Sequence, residues 1–455
     1  MPAPTSRLVC WGCGVSPAWD APWPFRCPRA DGDDTDHVLV RVLDLDRVSF
    51  PAGGAPTGSP FVHYRGLLHS HTRATVGGLG DEEYVDLVGR LDDAVARVAG
   101  TGFRATPFGR DATLSDRLGF SAAGGVWVKD ETGNVTGSHK GRHLMGVLLH
   151  LEVAERLGLA DPAHRPDLAI ASCGNAALAA AALARASDRR LRVLVPVDAD
   201  PVVLHELHGL GADVVTVART PGVPGDPTYA RLRGEVAAGA LPFTCQGPEN
   251  GLVVEGGETL AWEMVSELAV AGTDLDHLVV QVGGGALASA CLQGLGEAVE
   301  LGVLGREPRV HTVQTTGGHP LERAYARVRE GLAPAPAPAE ITAVMRAAAT
   351  HRSAYMWPWE EEPRSIATGI LDDETYDWRA VVDGMLTTGG RPLVVAEERL
   401  ARARELGVAA GHDVDPTGSS GLAGLLELVD AGDVGPDDRV GVLFTGVDRQ
   451  HRQGP

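Results

Sequence analysis

Lysine is almost missing from this chain. Lys129 and Lys140 are the only two in 455 residues, and the other permanently charged cations are arginines, which stay protonated and cannot act as nucleophilic amines. Any covalent amine chemistry therefore falls to one of these two, since a lysine of depressed pKa can form a Schiff base with a carbonyl. Cysteine is scarce too, and six in so long a chain do not make a disulfide framework. Positive charge is short overall: a formal net charge of −20 and a pI near 5.2 argue against nucleic acid and anionic membranes, which are held by basic patches. No apolar run is long enough to span a bilayer and no basic-apolar-small signal opens the chain, so a soluble cytoplasmic protein is expected. With 44% hydrophobic and 22% charged residues, the chain can bury a large core and divide into two or more domains.

The two lysines differ in setting. Lys129 follows the apolar run Val126-Trp127-Val128 and precedes Asp130 and Glu131, the pattern of a strand end that makes an ion pair. Lys140 follows Thr136-Gly137-Ser138-His139, and the spacing Leu144, Val147, Leu148, Leu151 predicts a helix behind it. A lysine where a loop enters a helix lies near N–H groups that favour an anion; the plainer reading is a solvated surface charge.

At the N-terminus, Cys10-x2-Cys13, thirteen residues, then Cys27 has the spacing of a zinc ribbon, but Ala30 stands where the fourth cysteine belongs. His37 or Asp31 can complete such a site. The reading preferred over bound zinc is a ribbon without metal, kept as an arm packed on the main body by Trp11, Trp19 and Trp23. Beyond it, Tyr84 to Val98 reads as an amphipathic helix. Strands at Leu168–Ala171, Leu191–Pro196 and Asp213–Val217 then alternate with helices from about Ala176 and Val202, which implies α/β architecture with parallel strands and right-handed crossovers.

Three turns have the composition of anion receptors. Ser172-Cys173-Gly174-Asn175-Ala176 joins a strand to an alanine-rich helix; it is either an ordinary cap or a carboxylate or phosphate site. Cys173 within it is a reactive thiol or, the preferred reading, a small buried filler. Gly283-Gly284-Gly285-Ala286-Leu287 follows the strand His277–Val282 and opens a helix to Val299. It also fits a dinucleotide fingerprint, yet the next strand, Arg309–Gln314, ends in Gln314-Thr315-Thr316 rather than an acid for a ribose. The P-loop pattern fails because neither lysine directly follows a glycine. Asp415-Pro416-Thr417-Gly418-Ser419-Ser420 precedes a helix from Leu422 to Val429, so Thr417 and Ser419 cap it or reach a ligand. The run Leu332–Glu340 is expected to be an extended linker, and His351–Trp359 is left open between a mobile loop and a core edge.

TGSHK, SCGNAA, EGGETLAWE (Glu255–Glu263), VGGGAL, DPTGSS and VLFTGV together resemble fold-type II pyridoxal phosphate enzymes, the tryptophan synthase β-like superfamily, and most of all threonine synthase and its relatives. The resemblance covers roughly residues 100 to 450. It implies two three-layer α/β domains with a cofactor cleft between them: a large domain from 37–135 and 240–455, a smaller mobile one from 136–239, and the arm 1–36 outside both. It implies that Lys140 forms the Schiff base with pyridoxal 5'-phosphate and moves the α-proton, and that Asn175 bonds the ring 3-oxygen. Ser172, Cys173, Gly174, Asn175 and Ala176 would take the substrate carboxylate, and Gly283 to Leu287 the cofactor phosphate. Thr417, or second Ser419, would face the pyridine nitrogen. The reaction implied is elimination or replacement on a small amino acid in a homodimer: O-phosphohomoserine to threonine, or serine/threonine dehydration or β-replacement. Lys129, His139, Arg142 and His143 are candidates to bind a substrate phosphate. Gly141, His139 and Cys173 depart from the threonine synthase pattern, and the histidine before the lysine is similar to the β-replacing and tryptophan synthase branches. A non-catalytic relative acting as a binding partner is the reading of another class.

Overall fold

The computed structural model describes residues 3–30, 32–220 and 222–449. Twelve strands are found among them: β1 Ser6–Cys10, β2 Leu39–Leu43, β3 Phe108–Asp111, β4 Gly125–Asp130, β5 Leu168–Ala171, β6 Leu191–Pro196, β7 Asp213–Val217, β8 Leu241–Pro242, β9 His277–Gln281, β10 Arg309–Thr315, β11 Pro392–Val395 and β12 Arg439–Phe444. β1 and β2 form an antiparallel ribbon. A six-stranded sheet runs β11-β10-β9-β12-β4-β3, parallel except for β3. A four-stranded parallel sheet runs β7-β6-β5-β8. All strands of the smaller sheet lie between residues 168 and 242.

Sequence pattern accounts for these elements. β5 and β9 are buried at every position, as expected where helices cover both faces of a parallel sheet. The helix Asp81–Ala99 starts with three acids against its N-terminal dipole and ends at Gly100 in the left-handed region. In the helix Asn175–Ala186, residues Ala176 to Ala184 are all buried, their small side chains admitting close neighbours on every side. Pro338 opens a helix to Ala349, so the expected linker at Leu332–Glu340 is helical over its last three residues, proline being preorganised for the first helical turn. The aromatic stretch after His351 is a core edge: Met356 is buried, Tyr355 stacks on Trp378, and Arg323 lies 3.8 Å over the Trp357 ring.

The Glu255–Glu263 stretch proves to be framework. It lies in the helix Val253–Ala271, which crosses the helix Lys140–Arg156 glycine to glycine. A Cβ on Gly146 would fall 2.8 Å from the Gly256 Cα, and one on Gly256 would fall 2.1 Å from the Arg142 carbonyl oxygen. The acids of the same stretch reach outward from this crossing. Glu255 accepts from the His69 N–H and from His150, Glu258 pairs with Arg41, and Glu263 pairs with Lys129 and Arg142.

Of the three tryptophans expected to hold the N-terminal arm, Trp23 packs against the main core and the other two do not. Trp11 and Trp19 are 37% and 42% exposed, while Cys10, Phe25 and Cys27 are buried. The ribbon is instead anchored by Arg41, whose guanidinium reaches Glu258 and Glu297. Ion pairing there draws β2 onto two helices, leaving the indoles at the rim: Trp19 edge-on to His69, Trp11 against Arg379.

Candidate active site

Four loops converge at the carboxyl ends of parallel strands, where ligands of α/β sheets bind. The Lys140 loop follows β4, the Ser172 loop β5, the glycine turn β9, and Thr445-Gly446 follows β12. The last of these is the hub. Gly446 bridges Ser138, and a Cβ on it would meet the Asn175 amide nitrogen at 2.8 Å. The His139 ring donates from Nδ1 to the Thr445 carbonyl at 3.2 Å. Gln281 donates from Nε2 to Thr445 Oγ1 at 2.7 Å and to the Gly418 carbonyl at 2.8 Å. Residues from four separated stretches are thereby brought around one short segment.

Lys140 is the first residue of its helix and is half-buried. The loop before it is strained: Thr136 and Gly137 have φ of 55° and 69°, and a Cβ on Gly137 would lie 2.4 Å from Val447 Cγ1. Such backbone persists only where packing over-determines it. Asn175 opens the next helix, and its Oδ1 accepts from Arg449 at 3.0 Å, leaving the amide N–H groups to donate elsewhere. Ser172 accepts from the Gly174 N–H at 3.4 Å. Cys173 is exposed rather than a buried filler. Its thiol is pushed up to about 11 by desolvation and the charges of Asp198, Asp226 and Asp372, which also counts against a reactive thiolate.

The glycine turn fits a phosphate cradle. Gly285 sits at φ 101° before the helix Ala286–Glu300, whose first N–H groups, those of Ala286 and Leu287, have no acceptor within the helix. Side chains are excluded: a Cβ on Gly283, Gly284 or Gly285 would come within 2.3 Å of Asp372, 2.9 Å of Tyr376 or 3.0 Å of Asp377. Of the two hydroxyl candidates, Ser419 spends its proton on the Asp415 carbonyl at 2.9 Å. Thr417 accepts from the Gly369 N–H at 3.0 Å and keeps its proton to donate.

The cations expected to line the site do not. Lys129 and Arg142 are fully buried and bound to Glu263 and Glu131, and Lys129 also donates to the Thr106 carbonyl at 2.8 Å. Burial opposes the Arg142 charge, but the two glutamates raise its pKa above the usual value. His139 and His143 are neutral: burial, then the nearby Lys140 charge, lowers the first well below the ordinary histidine value and the second to about 3. Their Nδ1–H groups go to the carbonyls of Thr445 and Val253. Strand end and helix start turn these four side chains inward, a direction their spacing did not reveal.

Sequence reading missed the acids. Asp372 packs on the glycine turn, where the Gly284 N–H donates to it; burial pushes its pKa up to about 7 although Lys140 pulls it down. Asp377, whose N–H bonds the Gly284 carbonyl at 2.9 Å, is raised to about 8 by burial and Asp36. Half-buried Asp415 is raised to about 7 by desolvation and accepts from the Gly418 N–H. The cluster Asp372-Asp373-Glu374 was the available signal, but acid runs are common on surfaces, and only the fold buries Asp373 and sets Asp372 against the glycine turn.

At the arm, the missing fourth ligand is present. His37 lies with Cys10, Cys13 and Cys27, all four donor atoms within 4.8 Å of one another. β1 pairs with β2, which returns His37 to Cys10; this is invisible in the spacing of cysteines alone. Asp31 lies outside the described residues.

Comparison with known proteins agrees with this geometry. Over 345 residues the chain is 25% identical to the threonine synthase of Methanocaldococcus jannaschii, covering 75% of this chain and 74% of that one. Its fold is similar to the processed threonine deaminase isoform 2 of Solanum lycopersicum (TM-score 0.57, 15% identity, 83% and 92% of the chains). It is similar also to a fungal L-serine ammonia-lyase of Rhizomucor miehei (TM-score 0.55, 18% identity, 76% and 94%). Residues 100–446 match the family model described as pyridoxal-phosphate dependent enzyme; with Lys140, the glycine cradle and Asn175 gathered inside that span, the chain belongs to this family, in its fold-type II branch.

Proposed function

We propose that this protein uses pyridoxal phosphate to eliminate or replace a side-chain group of a small, non-phosphorylated amino acid of the serine and threonine type. The observation that carries this reading is the charge around Lys140. Lys129 and Arg142 are committed to Glu131 and Glu263, Arg449 bonds Asn175 and lies 3.6 Å from Glu206, and Arg219 faces Asp373 and Glu362. Asp372, in contrast, is half-buried and packs against the glycine turn. A phosphorylated side chain calls for fixed cations, and this neighbourhood favours a neutral or cationic one. The threonine deaminase and serine ammonia-lyase similar in fold support the same substrate class.

The bound cofactor supplies the electron sink that acidifies the α-proton of an amino acid. The chain's residues do the rest. Lys140 would hold the cofactor covalently and, once freed, would take and return the α-proton of the substrate. The glycine turn and the N–H groups of Ala286 and Leu287 hold a phosphate. Ser172 to Ala176, at the start of a helix, would hold the substrate carboxylate, and the Asn175 amide would donate to the cofactor. Thr417, whose proton is free, would face the cofactor's ring nitrogen as a neutral hydroxyl partner, which favours elimination over transamination. The four-stranded unit closes over the cleft and excludes water.

A second reading, conversion of O-phosphohomoserine to threonine, is favoured by the archaeal threonine synthase, whose likeness extends over three quarters of both chains. One assay separates them. The cofactor-loaded protein is given L-serine, L-threonine, O-acetyl-L-serine or O-phosphohomoserine, and 2-oxoacid, ammonia, acetate and phosphate are read together. Oxoacid and ammonia, or acetate with a new amino acid when a nucleophile is added, are the expected products. Phosphate and threonine released in equal amounts, with the other three inert, would sink the proposal. Lys140→Ala should lower any turnover by roughly a thousandfold or more, and borohydride should attach cofactor to the wild-type peptide containing Lys140 but not to the variant.

A further inference from the structure

We infer that Cys10, Cys13, Cys27 and His37 bind one structural Zn²⁺ that clamps the N-terminal arm, independently of which reaction the protein performs. The geometry is already that of a metal site. Tetrahedral Zn²⁺, with Zn–S of about 2.3 Å and Zn–N of about 2.0 Å, sets sulfurs about 3.8 Å apart and sulfur to nitrogen about 3.5 Å. Cys13 and Cys27 Sγ are 3.6 Å apart, and Cys10 Sγ lies 3.5 Å from His37 Nδ1. Cys10, Cys27 and His37 are buried, Cys13 half-buried.

The surroundings prepare each ligand. His37 Nε2 lies 3.0 Å from Asp33 Oδ1, so its N–H faces the carboxylate and the Nδ1 lone pair faces the thiols, the outer hydrogen bond that metal-bound histidines use. The Arg29 N–H points at Cys27 Sγ at 3.4 Å. Between Cys10 and Cys13 the chain doubles back: Gly14 has φ 73° and donates to the Cys10 carbonyl, and a Cβ on Gly12 would fall 2.3 Å from the Asp36 oxygen. Three cysteines and a histidine fill a tetrahedron and leave no open position, the mark of a structural rather than catalytic site. Binding displaces three thiol protons to solvent and leaves a site of net charge −1.

The clamp reaches toward the glycine turn. Cys27 and His37 bracket a stretch in which the Asp34 carbonyl and carboxylate hold the N–H groups of Arg352 and Ser353, and Asp36 donates to the Ala349 carbonyl. Asp36 also lies 3.4 Å from Arg352, while Trp11, beside Cys10, stacks on Arg379 of the segment that contacts Gly284.

The test uses the full chain, freed of any affinity tag and dialysed against EDTA. Elemental analysis should give about one zinc per chain, as tight structural sites retain metal. Protein made with Co²⁺ should show the red d–d bands of a tetrahedral thiolate site. Cys13→Ser should lose the metal and become cleavable by trypsin at exposed Arg29; His37→Cys should keep it; Asp33→Asn should weaken it by about 10- to 100-fold. If Cys13→Ser is insoluble, the wild-type cobalt spectrum and His37→Cys decide. The inference is overturned by a folded wild-type chain with neither zinc nor cobalt bands, by zinc content unchanged in Cys13→Ser, or by a Cys13–Cys27 disulfide as the resting state.

Discussion

At the residue scale, burial decides which charges are available for chemistry. The two lysines, alike in composition, end in opposite roles: Lys129 is sealed against Glu263, while Lys140 stands at a half-buried helix start among acids raised toward neutrality. His412 illustrates the same control. It sits between Asp130 (2.7 Å) and Asp111 (3.0 Å) and tips edge-on against Phe444. Burial lowers its pKa, but the two carboxylates outweigh this and raise it. The folded chain therefore holds a proton that the unfolded chain releases above its ordinary value, and the stabilisation is complete below pH 6.5 and fades as pH rises through the folded value. His412→Gln should cost about 1 kcal/mol in urea unfolding at pH 6 and measurably less at pH 9; equal costs at both would show that packing, not charge, is at stake.

At the element scale, the crossing of the helices Lys140–Arg156 and Val253–Ala271 sets the height of Lys140 over the cleft. Two glycines face each other there, and Gly257 gives way to the His143 ring, which a Cβ would meet at 2.1 Å. Gly256→Ala pushes against the Arg142 backbone, so the helix carrying Lys140 must shift. Overpacking of this kind costs about 1–3 kcal/mol, and turnover should fall further than the unfolding energy accounts for. Unchanged turnover at reduced stability would separate the crossing from the site. The buried set of Lys129, Arg142, Glu131 and Glu263 ties β4 to the same helix, and Glu263→Ala, which strands two cations, should cost about 3–5 kcal/mol.

At the scale of the whole molecule, polar contacts join the smaller sheet's connections to the body around the cleft. Arg219, just past β7, reaches Asp373 at 3.3 Å and Glu362 at 3.6 Å, and Arg449, past β12, reaches Asn175. Arg219 keeps much of its side chain in solvent, so its pair contributes about 1 kcal/mol or less. Arg219→Ala should leave the melting temperature nearly unchanged and raise KM for the amino-acid substrate; a fall in melting temperature matching a domain's unfolding would show that the contact is architectural. Among the described residues no helix is long and apolar enough to cross a membrane.

Much of this was legible beforehand, because it rests on local chemistry. Strands β5, β6 and β7 follow from short apolar runs with the bounds expected, and the turns at Asn175 and Gly283 from small residues between a strand and a helix. Composition narrowed the amine to two lysines, and the family resemblance implied Lys140 of the two. What only the tertiary structure decided is direction and company. Spacing does not say which way a side chain points once two elements pack, so Arg142 and His143 looked available and are not. Nor does it say what a distant strand returns to a site: β2 brings His37 to the cysteines, and Asp372 meets the glycine turn from ninety residues away. The sequence by itself determined which groups can do chemistry, because reactivity belongs to residue type; the fold determined which are paired, which are buried and which meet, because those depend on contacts that no local window contains.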